Sequence, residues 1–300
     1  MTADKIRRIL ILGGGTMGQQ IAFYFAVRGC DIVIYDIEGG ILEKALSGVR
    51  KIAESQIKLK QLAKEAADAA MGRISATTDA EEAAADADLV SESVPEDPQL
   101  KGKVLSVFHT LCPPRTIFTT NTSMLLPSMF AQATGRPEKF LALHFHDLRT
   151  NVVVDIMPHP GTEPAVVQIV QDFSKRMGLI AIPLNKESSG YVFNAMLDAL
   201  MFSAQALVAN EVTSVENVDR AWMGVTHMPI GPFGIMDSVG LDTVWKITDY
   251  WAKETKNKQQ QKNADFLKKM IDQGHLGQKS GKGFYSYPGP RYRQPGFVAG

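Results

Sequence analysis

Ile9-Leu10-Ile11-Leu12-Gly13-Gly14-Gly15-Thr16-Met17-Gly18 opens the chain's first recognisable unit. Four consecutive apolar residues make a strand covered on both faces, three spaced glycines make a tight turn, and Thr16-Met17-Gly18 begins a helix. Each glycine has a separate reason to be there. Gly13 permits the turn, Gly15 lets a pyrophosphate approach the backbone, and Gly18 lets the helix pack on the strand. The free N–H groups and the dipole of the helix start then favour an anion. Asp36 ends the next apolar run, eighteen residues past Gly18. Its carboxylate suits the two ribose hydroxyls of NAD and repels the 2′-phosphate of NADP. The spacing therefore predicts a dinucleotide site for NAD at Gly13, Gly15, Thr16, Met17, Gly18 and Asp36.

Working outward, short β-branched runs alternate with helical patterns as far as about residue 185, which predicts βαβ units and a parallel sheet. The expected strands are Arg8–Leu12, Asp31–Tyr35, Asp88–Ser91, Thr116–Thr120, Phe140–His144, Asn151–Met157 and Leu179–Pro183. Residues 40–71 form a long insertion rich in Lys, Glu, Ala and Gln, expected to be a pair of helices. After Lys186 strand patterns stop. Helices are expected over Tyr191–Val212, Ser214–Met223, Asp242–Lys256 and Asn263–Gln273, with Pro229–Pro232 as a loop. The fold class expected is α/β: a doubly wound, mainly parallel Rossmann-like sheet over residues 1–186, then a smaller all-α domain over 187–300.

Composition narrows the functions. With 32 basic and 32 acidic residues the chain offers no net positive field, which argues against a nucleic-acid partner. Lys5-Ile6-Arg7-Arg8 and the following apolar run imitate a signal peptide, but the glycines break it and no cleavage pattern follows. The apolar stretch 191–209 contains Asn194, Asp198, Ser203 and Gln205, so a core helix is expected there rather than a membrane span. Cys30 and Cys112 lack a C-x-x-C spacing and read as reduced core thiols of a cytoplasmic protein. No metal ligands are assigned.

Oxidising an alcohol with NAD needs a base for the hydroxyl proton and donors for the developing charge on oxygen. Asn121-Thr122-Ser123 and His144-Phe145 stand at the ends of two expected strands, where open α/β sheets bind ligands. Here the sequence resembles the 3-hydroxyacyl-CoA dehydrogenase family, nearly end to end. Gly13-x-Gly15-Thr16-Met17-Gly18 resembles its cofactor loop. Glu96 with Lys101 resembles its charged pair beside the nicotinamide ribose, and Asn121-Thr122-Ser123 resembles the element carrying its catalytic serine. His144-Phe145 resembles its catalytic histidine element, and Gly190-Tyr191-Val192-Phe193-Asn194 its G-F-x-x-N. Pro229–Phe233, Gly240-Leu241-Asp242 and Lys279–Tyr285 are similar to its carboxyl-terminal signatures.

The resemblance implies that His144 is the general acid/base, that Asp155 orients it, and that Ser123 and Asn194 bind the reacting oxygen. It implies cofactor contacts from Glu96, Lys101, Ser123, Asp147 and Lys279 besides the glycine loop. It also implies an acyl-CoA substrate and a helical domain that dimerises and closes the site. The loop His146-Asp147-Leu148-Arg149-Thr150-Asn151 departs from the family pattern. It is one residue shorter, it has Asp147 where the family has an asparagine touching the nicotinamide, and Asp155 replaces a glutamate. His146 is the rival base, and Asp147 either accepts from the carboxamide or caps a turn. The departure keeps open a relative acting on a free hydroxy acid of the carnitine or gulonate type. A non-catalytic, crystallin-like relative is the remaining alternative. Arg50, Lys51, Lys58, Lys60 and Lys64 are either a handle for CoA phosphates or a solvated helix face.

Overall fold

The computed structural model describes residues 1–300 and divides them into two compact units, Met1–Val192 and Phe193–Gly300. The change of sequence character at 185–188 thus precedes the division between the units by a few residues.

The first unit is built on eight strands: β1 (Arg8–Leu12), β2 (Asp31–Tyr35), β3 (Ile74–Thr77), β4 (Leu89–Glu92), β5 (Ile117–Thr120), β6 (Phe140–Phe145), β7 (Val153–Pro158) and β8 (Ile180–Pro183). They lie in the order β3-β2-β1-β4-β5-β6-β7-β8, and every pair is parallel except β6 with β7. Strand β1 shows why the sheet is covered on both sides. Ile9 and Ile11 join the core beneath α1 (Thr16–Val27) and α2 (Gly39–Lys58), whereas Leu10 and Leu12 join the opposite core beneath α5 (Pro98–Leu111). Successive strand residues point to opposite faces, so a wholly apolar strand feeds two cores. The order of connection reverses between β1 and β4, which places a crevice at their carboxyl ends.

The insertion is indeed a helical pair, α2 and α3 (Lys64–Met71). It is followed by strand β3, which the sequence reading omits. Ile74-Ser75-Ala76-Thr77 is short, lies at the sheet edge and is only partly buried, so it lacks the apolar run of its neighbours. A short helix, α4 (Ala80–Ala84), precedes β4, and α6 (Pro164–Arg176) joins β7 to β8. Both cysteines are free and buried, and burial pushes their thiols up, Cys30 to about 11 and Cys112 to about 12.

The second unit consists of α7 (Phe193–Ala209), α8 (Val215–Thr226), α9 (Pro232–Val239), α10 (Leu241–Thr255) and α11 (Lys258–Asp272). Residues 229–231 form the expected loop, and Pro232 begins α9, a helix the sequence reading omits; at this first position a missing N–H costs nothing. Its start is capped from a distance. Gly231 has no side chain to offer, and the buried Asp219 accepts from the N–H groups of Phe233 (2.8 Å) and Gly234 (3.0 Å) and from the Tyr285 hydroxyl (2.9 Å). Asp237 similarly accepts from the backbone of Phe284 and Tyr285 and from the Tyr287 hydroxyl. The glycines of two carboxyl-terminal signatures make room for these carboxylates. A Cβ on Gly231 would lie 2.4 Å from Asp219 Cγ, and one on Gly283 would lie 2.0 Å from Asp237 Oδ1. No helix in the chain is long and apolar enough to cross a membrane.

Candidate active site

The glycine turn has the geometry that a dinucleotide requires. Gly13 has φ of +104°, and a Cβ there would lie 2.8 Å from the Ser93 carbonyl oxygen. A Cβ on Gly18 would lie 2.1 Å from the Gly13 carbonyl oxygen, so the helix can reach the turn only without a side chain. Gly15 differs from both: a Cβ there would meet nothing within 4 Å. Asp36, at the end of β2, accepts from the Gly14 N–H at 2.9 Å, so its carboxylate stands beside the turn. Gly15 and Thr16 are exposed at the start of α1. These residues fit NAD: a cradle that added side chains would obstruct, an exposed helix start, and an acid for the ribose.

Beyond the turn, three strand ends converge. Strands β6 and β7 are antiparallel with His144 directly opposite Asp155, so the pairing itself sets imidazole and carboxylate side by side. Asp155 Oδ2 lies 3.1 Å from His144 Nδ1, and the other ring nitrogen, Nε2, lies 3.2 Å from Ser123 Oγ. Ser123, on the loop after β5, is exposed, whereas His144 and Asp155 are buried. The same Asp155 oxygen also lies 3.1 Å from Nε2 of His146. Burial works to raise the Asp155 carboxyl, but the bonds and charges of His144 and His146 outweigh it and hold the carboxyl below its usual value. An ionised carboxylate only accepts. The two nitrogens facing it therefore carry hydrogen, and neutral His144 keeps a lone pair on Nε2, towards Ser123.

Several residues hold this line in place. Asn121 Oδ1 accepts from the Phe145 N–H at 2.8 Å, tying the serine loop to the end of β6. Glu96 accepts from the Ser123 N–H at 2.8 Å and from the Thr122 hydroxyl through a short bond. Burial alone would raise the Glu96 carboxyl; the Thr122 and Ser123 bonds and the Lys101 ammonium bring it below its usual value. Lys101 is itself 1 % exposed, with Nζ 2.8 Å from Glu92 Oε1, 3.0 Å from the Val94 carbonyl and 3.2 Å from Glu96 Oε2. With three acceptors around it, Lys101 anchors Glu96 from below.

Two residues of this region escape the sequence reading. Glu92 is the buried partner of Lys101 and also accepts from Thr120 and the Val94 N–H; a strand-ending acid is its only sequence signal. Tyr191 stacks flat on the His144 ring, centroids 4.4 Å apart and planes 8° from parallel, while its hydroxyl donates to the Thr122 carbonyl at 2.6 Å. It stands at φ +54° after Gly190 at +78°, so the backbone is bent to deliver the ring. Gly190-Tyr191 is legible in the sequence only as the lead-in to Asn194.

Of the other sequence-derived residues, Asp147 belongs to the first unit and Asn194 and Lys279 to the second. Asp147 receives a two-pronged bond from Arg149 (2.8 and 2.6 Å), and its carbonyl accepts from the N–H groups of Thr150 and Asn151, so it closes a turn. Asn194 belongs to the second unit, in the first turn of α7. Lys279, also there, pairs with Asp242.

Known proteins resemble this chain along nearly its whole length. Residues 8–188 match the family profile "3-hydroxyacyl-CoA dehydrogenase, NAD binding domain", and residues 190–287 match the corresponding "C-terminal domain". The pig mitochondrial hydroxyacyl-coenzyme A dehydrogenase is 30 % identical over 288 residues, covering 94 % of this chain and 91 % of the relative. Among solved structures, a diketoreductase acting on dicarbonyl compounds superposes with a TM-score of 0.87 at 38 % identity, covering 94 % of this chain and 99 % of that one. A (S)-3-hydroxybutyryl-CoA dehydrogenase from Ralstonia eutropha gives 0.84 at 28 % identity, covering 95 % and 100 %.

Proposed function

Because the chain belongs to the 3-hydroxyacyl-CoA dehydrogenase family, whose members are NAD-dependent enzymes, we propose that it interconverts a (3S)-3-hydroxyacyl-CoA and the 3-oxoacyl-CoA with His144 as general acid/base. The observation that carries this reading is the line Ser123–His144–Asp155, with the imidazole lone pair on the Ser123 side. In the oxidative direction His144 Nε2 takes the hydroxyl proton, and the Asp155 carboxylate stabilises the imidazolium that forms. Ser123 donates to the reacting oxygen, and Glu96, Asn121 and Tyr191 hold the serine loop and the ring at that geometry. NAD, held by Gly13, Gly15, Thr16, Met17, Gly18 and Asp36, supplies the hydride acceptor. The role of Asn194 as a further oxygen ligand rests on its sequence signature.

The substrate handle has two supports that point different ways. Arg50, Lys51, Lys58 and Lys60 are exposed and enter no ion pair, which suits CoA phosphates. The higher identity to the diketoreductase, with the altered 146–151 loop, favours a second reading: a smaller dicarbonyl or free hydroxy acid without CoA. A second copy of the chain is part of the proposal, since α7 leaves Met196 and Leu207 exposed on an apolar helix. The two buried thiols suit a reducing compartment such as the cytoplasm.

The deciding assay compares acetoacetyl-CoA with free acetoacetate, each with NADH. Reduction of the CoA ester with the higher kcat/KM is expected, and Lys58→Glu with Lys60→Glu should raise its KM several-fold at low salt without changing the KM for NADH. Added salt should close that gap, because exposed charges are screened. Faster turnover of the free acid would transfer the chain to the second reading.

A further inference from the structure

We propose that His144, His146 and Asp155 form a binding site for a borderline divalent metal ion, Zn²⁺ above all, and that its occupancy switches the imidazole of His144 off. Two imidazoles and one carboxylate are a donor set suited to such ions. Their ligand atoms all lie within 4.8 Å of one another, and the two separations to Asp155 Oδ2 are 3.1 Å each. In a tetrahedral site with bonds of about 2.0–2.2 Å, neighbouring ligand atoms stand roughly 3.3–3.5 Å apart. Two edges of the triangle therefore need to open by only a few tenths of an ångström, and the third, within 4.8 Å, needs to close until the rings share the ion.

The burial pattern gives the ion a way in. The Asp155 and His144 side chains are 1 % and 4 % exposed, and that of His146 is 15 % exposed. The ion enters past His146 and replaces the two hydrogens that now point at Asp155. His146 is what completes the set, since without it one imidazole and one carboxylate remain. The His146 ring also meets His144 edge-on, centroids 4.9 Å apart, so both rings reach the carboxylate without crossing.

The switching follows from ring chemistry and rests on the acid/base reading of His144. A metal on Nδ1 displaces the proton that bonds Asp155, and in a neutral imidazole that proton passes to Nε2. Nε2 then donates towards Ser123 and has no lone pair with which to take a hydroxyl proton. The count of protons on the ring is unchanged; only the tautomer has moved.

The test uses the full chain, freed of metal with a chelator and titrated with Zn²⁺ against a chromophoric competitor. One Zn²⁺ per chain at micromolar affinity or better is expected, weakened at least tenfold in His146→Gln and in His144→Gln. Co²⁺ on the unaltered chain gives an independent reading. Two hyperfine-shifted exchangeable imidazole N–H resonances are expected, one from each ring, and this holds even if a variant misfolds. Absence of a stoichiometric site, wild-type affinity in His146→Gln, or fewer than two shifted imidazoles would overturn the site. Inhibition of acetoacetyl-CoA reduction should follow the same Zn²⁺ midpoint as binding. Zn²⁺ bound through both rings with full turnover would overturn the switch and with it the acid/base role of His144. A chain inactive on acetoacetyl-CoA that still binds Zn²⁺ through both rings would fault the substrate reading and uphold the site.

Discussion

Asp155 in the first unit and Asp219 in the second are both almost wholly buried, both accept several hydrogen bonds, and they titrate in opposite directions. Asp155 is held below the usual carboxylate range, whereas burial pushes Asp219 up to about 6. The difference lies in the donors. Asp155 faces two imidazoles, which can become cations, and Asp219 faces two amide N–H groups and a phenol, which cannot. Neutral donors satisfy a buried carboxylate but leave much of its desolvation cost standing, and nearby Asp237 adds to it. Burial and bonding by themselves therefore do not mark a catalytic acid. What sets Asp155 apart is that both of its donors are imidazoles.

The largest effect should come from the imidazole itself. His144→Gln is expected to lower kcat by roughly 10²–10⁴ while leaving NADH affinity and Tm near those of the wild type. If steady-state kinetics find His146→Gln the more damaging change, the acid/base assignment moves to His146. Asp155→Asn comes next: an amide can present its N–H to the ring and so favour the wrong tautomer, for a kcat loss of about 10²-fold. Normal kcat in that variant would reduce Asp155 to a structural carboxylate, and the contrast with Asp219 would fail.

Asp219→Ala should act on stability. It uncaps α9 and strands the Tyr285 hydroxyl, which together cost about 2–4 kcal/mol in denaturant unfolding of the chain. The smallest effect sharpens the contrast by its sign. Asp219 has a folded pKa raised from 3.8 to about 6, so its contribution to stability is full below about pH 4 and lost as pH rises through 6. Asp155, lowered from 3.8, contributes above about pH 4 and loses that contribution only as pH falls below it. Melting curves at pH 5 and pH 7 should show Asp219→Asn closer to wild type at the higher pH. A constant gap between the two proteins would mean that Asp219 does not titrate in this window.

Much of this was legible in the chain because local chemistry and fold agree. β1 and β2 are apolar runs bounded by turns, and their ends are read to the residue. The meeting of His144 with Asp155 is a matter of strand pairing, and the resemblance to a known histidine element suggests it from the sequence alone. What escaped depends on contacts distant in sequence. Tyr191 reaches His144 only because Gly190 and Tyr191 take left-handed backbone angles, and Glu92 matters only because Lys101 turns inward to meet it. Similarly, nothing in Pro229–Pro232 reveals that a carboxylate from α8 will start a helix there.

Three of the four glycines between positions 13 and 18 answer to different readers. At 13 and 18 the protein's own atoms forbid a side chain, so the folded state itself polices those positions. At 15 the backbone angles are ordinary and a methyl group would meet no neighbour, so folding is blind to the choice. Variation at that position is thus a private channel: a library of substitutions there, sorted for folded protein, would pass almost unfiltered. The same library sorted for dinucleotide binding would return glycine alone.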